Sequence, residues 1–161
     1  MARAYLSLGS NVDPERHLAD AVQALRERFG ALVVSPTYRS AAVGFTGAAF
    51  LNGAAAFDCD TTRTALRDWL HALEDAGGRD RNLPRYADRT LDLDIALWCE
   101  GDACSSDLSR AEFERAHVLA PLADIAPGLR EPFTGTPLRE RWQRLAPTLP
   151  ALERLRDDAP G

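Results

Sequence analysis

The residues best placed to do chemistry lie in the run Thr90-Leu91-Asp92-Leu93-Asp94-Ile95. Successive side chains of a strand point to opposite faces, so Asp92 and Asp94 stand on one face about 7 Å apart while Leu91, Leu93 and Ile95 line the other. Two parallel carboxylates suit a divalent cation. Magnesium usually takes only one or two protein carboxylates and fills its octahedron with water and phosphate oxygens. The preceding loop carries Arg79, Arg81, Arg85 and Arg89. Guanidinium groups stay charged near pH 7 and grip phosphate oxygens with paired hydrogen bonds, so arginines beside paired acids read as phosphoryl-transfer equipment. The plainer alternative is a strand with one solvated face and a loop of solvated ion pairs, to which Asp80 and Asp88 would contribute.

Other constellations are weaker. His17, His71 and His117 are far apart in sequence and match no metal-ligand spacing. No GxSxG elbow is present. Phe50 and Asn52, two apart on a predicted strand, put an aromatic ring beside an amide, which could read the polar edge of a heterocycle or simply pack in the core. All 19 basic residues are Arg, which excludes a P-loop lysine, a Schiff-base lysine and a lysine general base.

These side chains need a frame, and the spacing predicts one. Residues 4 to 8 form a strand ending at Gly9-Ser10-Asn11. Asp13 caps a helix with Pro14 at its first position and Leu18, Val22, Leu25 and Phe29 on one face, stopped by Gly30. Residues 31 to 38 read as a second strand, 41 to 49 as a small-residue loop and 50 to 57 as a third strand, weak by propensity because of its alanines. Asp60 or Thr61 caps the next helix, with Leu66, Trp69, Leu70 and Leu73 at helical spacing and Gly77-Gly78 at its end. Residues 91 to 98 form the last strand. The order βαββαβ is ferredoxin-like, an α+β sandwich, followed by an appended helical and loop section. In that section Leu138, Trp142 and Leu145 recur at helical spacing.

The chain has 161 residues, 45% hydrophobic and 27% charged, with a net charge of -5. It reads as one domain over residues 1–161, able to hold a core without disulfides. Cys59, Cys99 and Cys104 are odd in number and form no CxxC pair, so neither a disulfide framework nor a zinc ribbon is expected, and the cytoplasm is the natural compartment. No segment has the length and apolarity of a signal peptide or membrane span. The acidic balance argues against nucleic acid, and no RNP-type aromatic run indicates an RNA-binding module.

Taken together, six segments resemble the 6-hydroxymethyl-7,8-dihydropterin pyrophosphokinases. They are Leu8-Gly9-Ser10-Asn11, Tyr38-Arg39-Ser40, Phe50-Leu51-Asn52, Glu74 through Gly78-Arg79-Asp80-Arg81, Arg89-Thr90-Leu91-Asp92-Leu93-Asp94-Ile95, and residues 118–122 with 124–127. The resemblance implies a ferredoxin-like fold and transfer of the terminal two phosphoryl units of ATP to the pterin's hydroxymethyl oxygen, with attack at the β-phosphorus and release of AMP. It implies two Mg²⁺ ions on Asp92 and Asp94, with Arg79 and Arg89 at the reacting phosphates. Glu74, Arg81, Arg89 and Arg115 match nucleotide positions. Ser40, Val43, Phe50, Asn52, Tyr86 and His117 match the pterin pocket, with Asn52 on the ring's polar edge and Phe50 on its face. The implied partners are ATP and a dihydropterin, and the implied state is a monomer that binds neither nucleic acid nor membrane.

Departures from the family pattern fall on both substrate subsites. Arg85-Tyr86-Ala87-Asp88-Arg89 stands for the usual Arg-Trp-Gly-Pro-Arg, and Leu108-Ser109 for a Pro-His. His117 replaces a phenylalanine, and Cys104 and Ser106 occupy nucleotide positions, the first no longer basic. The alternative these departures raise is a divergent paralogue that binds another pterin-like ligand or has lost catalysis.

Overall fold

The computed structural model describes residues 1–40, 49–77 and 91–155. Its centre is strand β1 (Ala2–Ser10), paired antiparallel with β4 (Phe50–Cys59) on one side and β5 (Asp92–Glu100) on the other. The antiparallel sheet runs β6 (Ala103–Ser105), β5, β1, β4, β3 (Tyr38–Ser40), β7 (Glu153–Arg154), with β2 (Val33–Val34) also on β4. This is the ferredoxin-like order.

Alternation along β1 decides which face each helix covers. Ala2, Ala4, Leu6 and Leu8 point one way and pack under α1 (Pro14–Phe29) and α2 (Arg63–Ala76), whose Leu18, Ala21, Leu25, Leu66 and Leu70 complete that core. Tyr5 points the other way, into a second core with Ala54, Ala56 and Leu97. The appended section covers that side through Phe113 of α3 (Arg110–Phe113), Val118, Leu119 and Leu122 of α4 (Ala116–Ile125) and Leu138 of α5 (Leu138–Leu145). The sheet therefore has helices on both faces. Of the alanines that weaken β4 by propensity, Ala54 and Ala56 are small residues in the core beneath α4 and Ala55 packs in the α1/α2 core, a case of packing overriding propensity.

Several local expectations need correction. In place of one strand over residues 31 to 38, the chain forms two short ones, β2 at Val33–Val34 and β3 starting at Tyr38. The chain leaves β4 at Ser35, whose N–H donates to the Ala54 carbonyl while its Oγ accepts from the Ala54 N–H, and Pro36 has no N–H with which to continue a ladder. Asp13 does stand at the helix start, but in a left-handed conformation (φ 46°) with no side-chain cap; its carboxylate pairs with Arg16 instead. The α2 cap is Thr62, whose side chain accepts from the Ala65 N–H at 3.1 Å. The period-2 pattern of β5 breaks at Ala96. There the partner register slips from Leu6↔Ile95 to Tyr5↔Leu97, so Leu93, Ile95 and Trp98 share one core and Ala96, Leu97 and Cys99 the other. Finally, Cys99 and Cys104 form a disulfide, contrary to the expectation from cysteine number. They are directly opposed residues of the β5–β6 hairpin with Cα atoms 4.1 Å apart, a pairing that spacing in sequence does not reveal. Among the described residues, no helix is long and apolar enough to cross a membrane.

Candidate active site

Directly opposed residues of neighbouring strands present their side chains on the same face, so strand register builds the site. Gly9 on β1 lies opposite Asn52 of β4 on one side and Asp92 of β5 on the other, and Tyr38 of β3 lies opposite Asn52. One row thus reads Tyr38, Asn52, Gly9, Asp92. The row beside it reads Ala54, Ser7, Asp94. Both acids therefore project from the α4 side of the sheet, and both are half-buried.

Gly9 makes a gap in this row. A Cβ placed there would sit 3.4 Å from Asn52 Oδ1 and 3.8 Å from Phe50 Cδ1. Without one, the amide and the Asp92 carboxylate flank a floor of bare backbone. They are two strand spacings apart, about 10 Å, enough to admit a flat ring. Asn52 itself is only 2% exposed, and its orientation is fixed. Its Nδ2 donates to Ser40 Oγ at 2.7 Å and to the Tyr38 carbonyl at 3.5 Å, which leaves Oδ1 leaning over the Gly9 floor.

Helix α4 closes the site from above. Tyr38 Oη donates to Asp124 near its C-terminal end, fastening the helix to β3; burial, followed by Asp124, pushes the phenol's pKa up. At the other end stand Arg115 at the N-cap and His117 in the first turn. His117 feels both Arg115 and Asp92, so the helix start overhangs the aspartates. Burial and then Arg115 push its pKa down to about 4, although Asp92 pulls the other way. The ring is therefore neutral at pH 7, a planar group with an apolar face.

The aspartate strand is held from the α1/α2 side. Glu74, 1% exposed on the last turn of α2, accepts the Leu93 N–H at 2.8 Å. Leu93 lies between Asp92 and Asp94, so this carboxylate fixes the backbone from which both acids project. β6 pairs with Trp98 to Glu100, and among the described residues no strand pairs with the edge of β5 beside the acids. Glu74 takes the Leu93 N–H on that edge, and the Asp107 N–H fills the Ile95 carbonyl at 3.1 Å. A cleft of about 370 Å³ opens there, with Arg67, His71 and Asp107 in its wall together with Leu70, Leu93, Ile95 and Asp94.

Residues 5–127 match the family model described as 7,8-dihydro-6-hydroxymethylpterin-pyrophosphokinase. The chain belongs to this pyrophosphokinase family. It is 41% identical over 143 residues to the 2-amino-4-hydroxy-6-hydroxymethyldihydropteridine pyrophosphokinase of Pseudomonas aeruginosa, covering 81% of this chain and 84% of that one. The protein of the same name from Methylorubrum extorquens is 39% identical over 156 residues, 92% of this chain and 96% of the relative. That of Bacillus subtilis is 36% identical over 129 residues, 76% and 77% respectively.

Within this pyrophosphokinase frame, the fold brings together Ser40, Phe50, Asn52, Asp92, Asp94, Arg115 and His117 on the α4 side of the sheet. Glu74 is separated from them, in the interior on the opposite side, where its carboxylate accepts the backbone N–H of Leu93 between the two acids. Val43, Arg79, Arg81, Arg85, Tyr86 and Arg89 lie outside the described residues. Sequence reasoning missed Gly9 as a floor, the Tyr38–Asp124 fastening, and the Arg67 and Asp107 wall. Only Gly9 carried a local signal, as a glycine at the end of an apolar strand, and that signal reads equally well as a turn.

Proposed function

We propose that this chain transfers the β,γ-pyrophosphoryl group of ATP to the hydroxymethyl oxygen of 6-hydroxymethyl-7,8-dihydropterin, forming the pterin diphosphate and AMP for folate biosynthesis. Family membership supports the reaction, with ATP as co-substrate. The structural observation that carries the reading is the row Asn52–Gly9–Asp92, an amide and a carboxylate facing each other over a glycine floor.

The pterin lies over Gly9. Asn52 Oδ1 accepts from the N–H groups on the ring's polar edge, while Phe50 and the neutral His117 cover its faces, and Ser40 holds Asn52 in place. Val43 and Tyr86 are assigned to the same pocket from the family pattern. This arrangement directs the hydroxymethyl group toward Asp92. Its oxygen attacks the β-phosphorus, the bond from that phosphorus to the α,β-bridging oxygen breaks, AMP leaves, and the hydroxyl proton is lost.

Asp92 and Asp94 fit Mg²⁺. They are two half-buried carboxylates on a rigid strand, and among the described residues no third metal-ligating side chain joins them, which matches an ion that keeps water and phosphate oxygens in its shell. We assign two ions to this platform; bound there, magnesium offsets the charge of the transferring phosphates. Arg79 and Arg89 act on the reacting phosphates. Arg81, Arg89 and Arg115 bind the nucleotide, whose nucleoside end occupies the cleft on the edge of β5, and Glu74 serves that subsite by fixing Leu93. Catalysis is then mainly positioning and electrostatics. We further read the chain as a single domain acting as a monomer in the cytoplasm, a compartment for which cysteine number no longer argues given the Cys99–Cys104 disulfide, and as binding no nucleic acid, consistent with its charge of -5.

The test is AMP release from ATP. It should require both the hydroxymethyl-dihydropterin and Mg²⁺, and Asp94→Ala should abolish it. AMP release by that variant at the wild-type rate removes the metal assignment.

A further inference from the structure

Helices α3 and α4 meet without a linking residue: Glu114 is the C-cap of the first and Arg115 the N-cap of the second. The Arg115 backbone is pinned in this corner. Its N–H donates to the Glu112 carbonyl at 3.3 Å, and its carbonyl accepts from the Val118 and Leu119 N–H groups at 3.1 and 2.9 Å. The Glu114 side chain reaches α5. Its Oε2 accepts from Arg141 Nε at 2.6 Å and from Arg141 Nη2, while its Oε1 accepts from Arg110 Nε of α3 at 3.2 Å. The Arg141 side chain is only 10% exposed and that of Glu114 19%.

Docking of α5 does not account for this pair. Leu138 is fully buried, and Trp142 and Leu145 pack against the same core, so apolar contacts already hold the helix. Taking two ions out of water offsets most of their attraction, and an apolar pair of similar volume would stabilise the contact as well. What the ion pair supplies is direction, because charge-assisted hydrogen bonds favour one geometry. That direction is imposed on the residue next to Arg115. Arg115 acts in turn on His117, which also feels Asp92, so the corner that Arg141 anchors stands beside the acids. Arg141 itself lies beyond residues 5–127, the part of the chain that carries the family pattern.

We propose that Arg141 is a positioning residue for pyrophosphoryl transfer: through Glu114 it sets the corner that aims the Arg115 guanidinium at the polyphosphate of the nucleotide. This role rests on the nucleotide assignment of Arg115 made above, and the two can fail separately.

Calorimetry in the presence of Mg²⁺ compares α,β-methylene-ATP, inorganic tripolyphosphate and 6-hydroxymethylpterin, alongside thermal denaturation. Arg141→Met should weaken the first two about five-fold, the scale of one coupled contact. The pterin should stay within about two-fold, because Val118, Leu119, Leu122 and the Tyr38–Asp124 bond hold α4 independently. Arg141→Lys should recover part of the loss. Removing one partner of a buried pair also lowers stability, so Glu114→Met/Arg141→Met supplies the control. This apolar double variant should melt near the wild type yet bind both phosphate probes as weakly as Arg141→Met. On an Arg115→Ala background, Arg141→Met should add no further loss. Affinity that returns with the melting temperature in the apolar double variant, an equal loss for the pterin, or additive losses with Arg115→Ala overturns the positioning role. Unchanged affinity in Arg141→Met beside a loss in Arg115→Ala overturns the role of Arg141 alone. Unchanged affinity in Arg115→Ala removes the nucleotide assignment of Arg115 and the role of Arg141 with it.

Discussion

Replacing Gly9 by alanine separates the site from the fold with a single methyl group. The added Cβ would meet Asn52 Oδ1 at 3.4 Å, Phe50 Cδ1 at 3.8 Å and the Leu51 carbonyl at 3.9 Å. These are ordinary van der Waals distances, and glycine costs a strand interior roughly 0.5–1 kcal/mol relative to alanine, so folding should survive and the melting temperature should hold or rise slightly. The pterin, however, loses its floor. A ring pressed against bare backbone must lift or tilt by the radius of a methyl group, and overpacking a fitted site costs about 1–3 kcal/mol, equivalent to a loss of roughly 5- to 150-fold in affinity. The assay is calorimetric titration with 6-hydroxymethylpterin and, separately, with the ATP analogue, alongside thermal denaturation. The pterin affinity should fall in that range while nucleotide affinity stays within two-fold (~0.4 kcal/mol). A folded Gly9→Ala protein that binds pterin as tightly as the wild type would refute the slot.

Glu74→Leu leaves the Leu93 N–H without its carboxylate and should cost about 1–3 kcal/mol, seen as a fall in melting temperature and in magnesium-dependent turnover together. On acidification, the unfolded chain protonates His117 near pH 6.5 while the folded chain resists until about 4, so stability should decline through that window by up to roughly 3 kcal/mol; in urea titrations at successive pH values, His117→Phe should flatten the decline. Glu131 adds a second acid limb. Burial raises its pKa, but hydrogen bonds from Thr134 and from the Phe133, Thr134 and Thr136 N–H groups lower it overall, so its contribution is lost as pH falls below the ordinary carboxylate value, and Glu131→Gln should remove that limb. Reducing the Cys99–Cys104 bond, which closes a short loop, should lower stability by about 2 kcal/mol, measured as a drop in melting temperature on adding dithiothreitol.

The sequence made the scaffold legible wherever a local period reports a local contact. Helix α1 with its Pro14 start and Gly30 stop, helix α2, and the shared face of Asp92 and Asp94 all follow from side-chain spacing. What spacing could not supply was register. That Gly9 falls between Asn52 and Asp92 depends on how three strands distant in sequence align, and no periodicity encodes the alignment. The slip at Ala96, the Cys99–Cys104 pairing and the Arg67–Asp107 wall are likewise products of strand and helix docking. Glu74 illustrates the converse. Its place among the nucleotide residues came from family likeness, whereas its burial and its bond to Leu93 show how an acid can serve a site from behind the strand.

The identity of the phosphorus attacked tests the account most directly, because the acids, the slot and the cleft are all read as aligning one oxygen with the β-phosphorus. ³¹P NMR of a single-turnover mixture of enzyme, ATP, Mg²⁺ and hydroxymethyl-dihydropterin should show AMP and a pterin diphosphate growing in equal amounts. ADP with a pterin monophosphate, or inorganic phosphate with no pterin ester, would contradict it.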